Sequence, residues 1–322
     1  MGAGLLPAEL QFAIELMAGC ATLTDNVQLE HITSADKLDR SPVTIADFAV
    51  QAYVAQSLQE SFPDDQMVGE ESSNLLQEDD GRLLSAVTHQ VQALLPHAGP
   101  KQICDWIDHG QGKPTGRYWV LDPVDGTKGF LRRMQYATAL ALVEDGEVLL
   151  GVVGCPNLPF GGQIGVIAYA SLGQGAWWLP YQNPTDRKPL RVSDTKKLSQ
   201  ARILQSFEDS HTDSPRIDNF AHLAGISVDP FRVDSQVKSF LLAGGQADLM
   251  MRLLSPDRLD YREFIWDQAP GYRVVLEAGG TITDTEGKPL DFTTGRRLTN
   301  NQGVLATNGW IHEEALRILQ ES

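Results

Sequence analysis

The chain has 322 residues, which at roughly 100–200 residues per domain suggests about two domains. Its 26 Lys and Arg against 42 Asp and Glu give a formal charge of −16, a balance that argues against a nucleic-acid or anionic-membrane surface, since both need a positive footprint. With 42% hydrophobic and 21% charged residues it is an ordinary globular composition, long enough to bury a core without disulfide staples.

A small anionic substrate stays open, because bound metal ions can invert the charge of one cleft. Cys20, Cys104 and Cys155 stand far apart, make no CxxC pair and, being odd in number, close no disulfide framework. They read as buried or half-buried thiols of a reducing compartment. No apolar run approaches the ~18 residues of a membrane span. No Lys or Arg precedes Lys37, so the first stretch resembles neither a secretory n-region nor an Arg-rich transit peptide. The expectation is a cytoplasmic protein with no membrane partner.

In chain order, Phe12, Ala13, Leu16, Met17 and Cys20 recur at helical spacing and predict a helix over Leu10–Leu23. Thr44 is a fair N-cap for a second helix carrying Asp47 in its first turn. Gln66–Val68 reads as a short strand running into Gly69-Glu70-Glu71, and Gly81–Leu95 as a weaker helix. Tyr118–Leu121 is strand-like and stops at Asp122-Pro123. Thr138–Glu144 and Glu147–Val153 form a hairpin around Asp145-Gly146, the dipeptide that favours a type I′ turn. Strands follow at Ile164–Ala170 and Gly175–Leu179, and the polar stretch Pro180–Pro189 is a candidate boundary between a half of residues 1–185 and a half of residues 186–322. Beyond it, strands are predicted at Arg202–Gln205, Val228–Val233 and Asp248–Leu254, with a helix at Gln236–Gln246. Trp266–Ala278 predicts a helix with Pro270 in its first turn and Gly279-Gly280 as its stop. Thr281–Thr283, a turn at Glu286-Gly287, a strand at Val304–Ala306 and a helix near Glu313–Leu319 complete the chain. Helices and strands alternating in blocks favour a layered α/β or α+β protein.

The strongest local signal is Trp119-Val-Leu-Asp122-Pro123-Val-Asp125-Gly126-Thr127, two carboxylates three residues apart between a buried strand and a glycine turn. Hard divalent cations take oxygen ligands, and Mg²⁺ prefers carboxylates, carbonyls, water and phosphate. If a helix or turn starts at Gly126-Thr127, its N–H groups would meet a phosphate there. Taken singly, each acidic site has a plainer reading. Asp122-Pro123 is a turn with solvated carboxylates, Glu70-Glu71 is surface charge, and Asp267 is a helix N-cap.

Together they carry a resemblance. Glu70-Glu71, Asp122-Pro-Val-Asp125-Gly-Thr127 and Trp266-Asp267…Glu277-Ala-Gly-Gly280 resemble the three signature segments of the lithium-sensitive, magnesium-dependent phosphatase superfamily, which includes inositol monophosphatases and relates to fructose-1,6-bisphosphatase. Ser41-Pro-Val-Thr44-Ile-Ala-Asp47…Gln51, Lys128-Gly-Phe130 with Gln135-Tyr-Ala137, and Asp234-Ser235-Gln-Val-Lys238 are most similar to the 3′(2′),5′-bisphosphate nucleotidases. Gln268 and Pro270 stand where His and Ala often follow the Trp-Asp pair, and Arg133-Met134 where Gly-rich residues are common. The resemblance covers about residues 5 to 310.

The resemblance implies a layered α-β-α-β-α sandwich with the active site between its halves. It implies that Glu70, Asp122, Asp125, Asp267 and the Val124 carbonyl hold Mg²⁺, that Asp47 and Thr127 orient and deprotonate the attacking water, and that the backbone at Gly126-Thr127 contacts the scissile phosphate. His211, Ser235, Lys238 and Arg252 would contact the rest of a nucleotide. The implied activity is removal of the 3′-phosphate of adenosine 3′,5′-bisphosphate to give AMP, with its sulfated analogue as a further substrate, by a monomer or weak dimer. Two other readings stand beside it. One is the same machinery on an inositol phosphate or sugar bisphosphate, against which Lys128-Gly129-Phe130 speaks, since inositol monophosphatases usually have x-Asn-Phe there. The other is an inactive ligand-binding relative.

Overall fold

The computed structural model describes residues 7–33, 42–77, 81–207, 213–255 and 260–322. Its first part is helical. α1 (Ala8–Thr33) and α2 (Pro42–Ser61) pack together, followed by β1 (Gln66–Gly69), α3 (Arg82–Gln92) and α4 (Pro100–His109). β2 (Arg117–Asp125), the short α5 (Thr127–Leu131), β3 (Ala137–Glu144), β4 (Glu147–Phe160), β5 (Gln163–Ser171), β6 (Ala176–Pro180) and β7 (Lys188–Leu190) follow. β1 to β7 form one sheet in chain order, with β1 parallel to β2 and every later pair antiparallel. The remaining strands are β8 (Ile203–Gln205), β9 (Phe231–Arg232), β10 (Leu249–Arg252), β11 (Thr281–Thr283) and β12 (Val304–Thr307), in the sheet order β11-β12-β10-β8-β9. α6 (Ser214–Leu223), α7 (Val237–Ala243), α8 (Ala269–Glu277) and α9 (His312–Glu321) complete the chain.

The layers follow from which side chains each strand buries. Along β2, Trp119 and Leu121 face α1 and α2, whereas Tyr118 and Val120 face α7 and α8. Both faces are covered, which explains why β2 and β3 read as continuous apolar runs rather than alternating ones. Phe240 of α7 and Val274 and Val275 of α8 fill the middle layer, and α8 also packs on β11. The outer face of the second sheet packs on α6 and α9 through Ile217, Phe220, Ile318 and Leu319. The result is α-β-α-β-α, as the resemblance implies. Each fully buried Leu, Val or Phe of these layers contributes about 1.5–3 kcal/mol.

Several local expectations are corrected. α1 runs ten residues past Leu23, to Thr33. α2 begins at Pro42, so Thr44 lies inside the helix and is not its N-cap; proline suits a first helical turn, where its missing N–H costs nothing. β2 continues through Asp122-Pro123 to Asp125 instead of stopping there. Its pairing with β1 ends at Gly69↔Leu121, and its register with β3 shifts between Asp122 and Asp125, so Pro123 sits where a ladder N–H is not needed. α8 begins at Ala269, three residues after Trp266. β9 keeps two residues of the predicted six, Phe231 and Arg232. The Pro180–Pro189 stretch leads into β7, which still belongs to the first sheet. The Asp145-Gly146 turn has φ of 49° and 84°, the two positive values a type I′ turn requires.

Candidate active site

β1 and β2 run parallel, and their paired ends place Gly69 opposite Leu121. The next residue on each strand is acidic, so the register alone brings Glu70 and Asp122 side by side. The bulge beyond Asp122 turns Val124 and Asp125 toward the same space, and the Thr138 hydroxyl fixes it by donating to the Pro123 carbonyl at 2.8 Å. Gly126 has φ 92°, and a Cβ there would lie 2.9 Å from that of Ser235, so only glycine fits both the turn and the close approach. From the other half come Ser235, Lys238, Arg252 and Asp267. All of these residues, with Thr127, line one cavity of about 490 Å³.

Four carboxylates line the cavity, Glu70, Asp122, Asp125 and Asp267. Burial pushes the Asp122 carboxyl well above its usual range, and Asp125, Glu70 and Asp267 add repulsion. Burial does the same to Asp267, helped by Glu263 and Asp125. Glu70 is the most solvent-accessible of the four, yet confinement in the cavity, with Glu71 and Asp125 nearby, pushes it up to about 7. Asp125 is raised less, because Gln236 donates its backbone N–H to Oδ2 at 2.7 Å and because Lys238 and Arg252 attract it. Asp122 Oδ1 is buried and has no hydrogen-bond partner among the described residues. An orphaned carboxylate oxygen among mutually repelling carboxylates is a donor set suited to a hard cation. Among the described residues no three His, Cys, Asp or Glu side chains are drawn together as tightly as a bound ion would hold them.

Lys238 and Arg252 line the cavity too, near enough to attract Asp125, and Asp234 stands close to Lys238. Lys238 Nζ donates to Ser206 Oγ at 2.8 Å. Arg252 Nε pairs at 2.8 Å with Glu263, whose carboxylate is itself buried and also accepts from Gln268 at 3.3 Å. Burial and Arg252 both pull the Lys238 pKa down. A doubly charged anion is the kind of ligand that two neighbouring confined cations suit chemically. Ser235 has φ 67°, an unusual value for serine, held at the approach to α7.

Not every expected residue meets the cavity. Asp47 is buried on α2 behind its wall, where burial and the charges of Glu71 and Glu70 push its carboxyl well up. Thr127 does line the cavity, on its exposed side, but among the described residues no hydrogen bond joins it to Asp47. His211 lies outside the described residues. Asp267 is not an N-cap: the cap of α8 is Gln268, which frees the Asp267 carboxylate for the cavity.

Sequence reasoning missed the residues that hold this arrangement. Gln51, one turn after Asp47 and fully buried, accepts from Glu71 N–H at 3.0 Å and donates to the Glu71 carbonyl at 2.7 Å. Gln236 donates its side-chain amide to the Trp266 carbonyl at 3.0 Å and accepts from Gly271 N–H at 3.0 Å, tying Asp125 to the segment that carries Asp267. Ser206 and Glu263 position the two cations. Gln51 and Gln236 stand inside segments that carry the resemblance, but no periodicity or spacing marks their roles, because their bonds reach distant segments.

The comparisons agree with this architecture. A model described as the inositol monophosphatase family matches residues 8–322. A 3′(2′),5′-bisphosphate nucleotidase of Schizosaccharomyces pombe is 38% identical over 335 residues, covering 96% of this chain and 94% of the relative. A protein of the same name from Oryza sativa is 36% identical, covering 98% of this chain and 94% of the relative. Among solved structures, an IMPase of Thermotoga maritima matches with a TM-score of 0.66 at 22% identity over 98% of both chains. SuhB of Mycobacterium tuberculosis matches with a TM-score of 0.64 at 20% identity, over 97% of this chain and 96% of that one. At such identities the solved structures speak for the fold alone, while the family match runs from α1 to the last residue and takes in every acidic segment of the cavity: the chain belongs to the inositol monophosphatase family.

Proposed function

We propose that this protein is a Mg²⁺-dependent phosphatase that removes the 3′-phosphate of adenosine 3′,5′-bisphosphate to give AMP, and that it also accepts the sulfated analogue. The observation that carries this reading is one cavity that gathers four carboxylates suited to cations together with Lys238 and Arg252, two cations suited to a second phosphate. The names of the relatives from Schizosaccharomyces pombe and Oryza sativa support the choice of nucleotide. Members of the inositol monophosphatase family are generally Mg²⁺-dependent. No helix among the described residues is long and apolar enough to cross a membrane, and the three free cysteines support a reducing, cytoplasmic location.

In this reading Glu70, Asp122, Asp125, Asp267 and the Val124 carbonyl hold Mg²⁺. When bound, Mg²⁺ supplies acidity to water and positive charge to the phosphoryl and leaving oxygens. The chain's own residues do the rest. The backbone at Gly126-Thr127 and the start of α5 receive the scissile phosphate. Thr127 aims the attacking water and Asp47 takes its proton. The Asp47–Thr127 contact is open here, and catalytic hydrogen bonds of this kind tighten once substrate is bound. Lys238 and Arg252 hold the 5′-phosphate, and Ser235 packs against the Gly126 turn. His211 is assigned to the nucleotide by resemblance. Phosphate release from a panel of adenosine 3′,5′-bisphosphate, inositol phosphates and fructose bisphosphate tests the reading, with the nucleotide expected to give the highest kcat/KM.

The raised carboxyls also fix a sign for stability. A carboxyl whose folded pKa exceeds its unfolded value favours the folded state below the unfolded pKa and loses that contribution as pH rises through the folded value. For Glu70 that window runs from about 4.5 to about 7. In chelator, the thermal midpoint is therefore expected to fall as pH rises across this window, and added Mg²⁺ to restore it more at high pH than at low. A Mg²⁺ stabilisation independent of pH in calorimetry would contradict the cavity electrostatics.

A further inference from the structure

Arg296 lies in the loop between β11 and β12 and belongs to none of the sequence motifs. Its guanidinium reaches into the other half of the molecule. Nη2 donates to the Gly69 carbonyl at 2.5 Å, and Nη1 to the Gly110 carbonyl at 3.4 Å. Its Cζ lies over the Trp266 indole, 4.8 Å from the ring centroid. Gly69 is the residue before Glu70, and Trp266 the residue before Asp267. One side chain thus touches both segments that deliver the first and last carboxylates to the cavity.

Both ends of this bridge are rigid. The Gly69 N–H donates to the Gly110 carbonyl at 2.8 Å, and buried Gln51 packs against both glycines, leaving no room for a Cβ at either. Trp266 stacks on Phe264 at 4.3 Å with a 14° interplanar angle, and Arg297 covers Phe264 with its Cζ 3.6 Å from the ring centroid. Two consecutive arginines therefore grip a stacked ring pair. The Ile265 N–H donates to the Arg296 carbonyl at 3.1 Å, which pins the loop alongside that segment. Arg296 is half-buried, and burial pulls its pKa down. The planar fork, which bonds two carbonyls while stacking on a ring, is something lysine cannot reproduce.

We propose that Arg296 is a positioning residue that sets the placement of Glu70 relative to Asp267 and thereby the affinity of the cavity for Mg²⁺, a proposal that rests on the metal reading given above. The test is Mg²⁺ binding to the substrate-free protein by titration calorimetry, for wild type, Arg296→Lys and Arg296→Gln, alongside the nucleotide KM at saturating Mg²⁺. Both variants are expected to weaken Mg²⁺ binding by roughly 10-fold, the usual scale for residues that orient metal ligands, with the nucleotide KM unchanged. The Lys variant keeps charge and length and carries the test if the Gln variant fails to fold. Lowered thermal midpoints with wild-type Mg²⁺ affinity would overturn the proposal and leave Arg296 a structural residue. Wild-type protein that takes up no Mg²⁺ would overturn the metal reading and this proposal with it, whereas variants that bind as tightly as a binding wild type overturn this proposal alone.

Discussion

Asp47→Asn is expected to lower kcat by roughly 10²-fold or more while the nucleotide KM stays near its original value. The substitution is nearly isosteric on a well-packed helix, so the fold has no reason to change. What it removes is the group proposed to take the proton of the attacking water. The environment of Asp47 suits it to act as a base, since burial and the charges of Glu71 and Glu70 raise its affinity for a proton. A base of raised pKa makes activity rise with pH until it ionises, so the substitution should also erase that acid limb from the pH profile. Asp125→Asn should differ, because Asp125 faces the cavity directly and accepts from Gln236. There Mg²⁺ affinity should fall as well. A near-native kcat in Asp47→Asn would place the base elsewhere.

Lys238→Ala is expected to reduce kcat/KM for adenosine 3′,5′-bisphosphate by roughly 10- to 100-fold, from about 1.5–3 kcal/mol per charged hydrogen bond at 1.4 kcal/mol per decade. The reason lies in how Lys238 is held: burial and the nearby Arg252 pull its pKa down, and Asp125, Asp234 and Glu263 oppose them. Glu263 neutralises part of Arg252, which leaves Lys238 as the more specific determinant. The loss on 3′-AMP should be far smaller, since that substrate has no 5′-phosphate. General damage to the fold would reduce both alike, so equal losses measured side by side would refute this placement of Lys238.

The sequence made the acidic wall legible because its carboxylates sit in short motifs. Glu70 follows the end of β1, Asp122 stands where the β2 register shifts, Asp125 ends β2 and Asp267 comes just before α8, and they converge on one cavity. The hairpin at Asp145-Gly146 was legible for a similar reason, since a two-residue turn is a local event. What escaped was non-local. The register of β1 against β2, which sets Glu70 beside Asp122, is visible in neither strand alone. α4 and α6 were missed although each has a local signal. Pro100 opens α4, and Asp213 caps α6 by accepting from Arg216 N–H at 3.1 Å. Pro123 was misread as a strand end because proline normally breaks a ladder, yet here the β1 partner has already stopped. The side chains of Gln51 and Gln236 act through bonds spanning 20 to 56 residues, and no spacing rule reaches that far.

The most direct test is to incubate the wild-type protein with adenosine 3′,5′-bisphosphate in Mg²⁺ and in excess chelator, following released phosphate and identifying the nucleotide product. The account predicts 5′-AMP and one phosphate per substrate with Mg²⁺, no turnover in chelator, and a higher kcat/KM than for any inositol phosphate or fructose bisphosphate. Full turnover in chelator, release of the 5′-phosphate to give 3′-AMP, or preference for an inositol bisphosphate would contradict it.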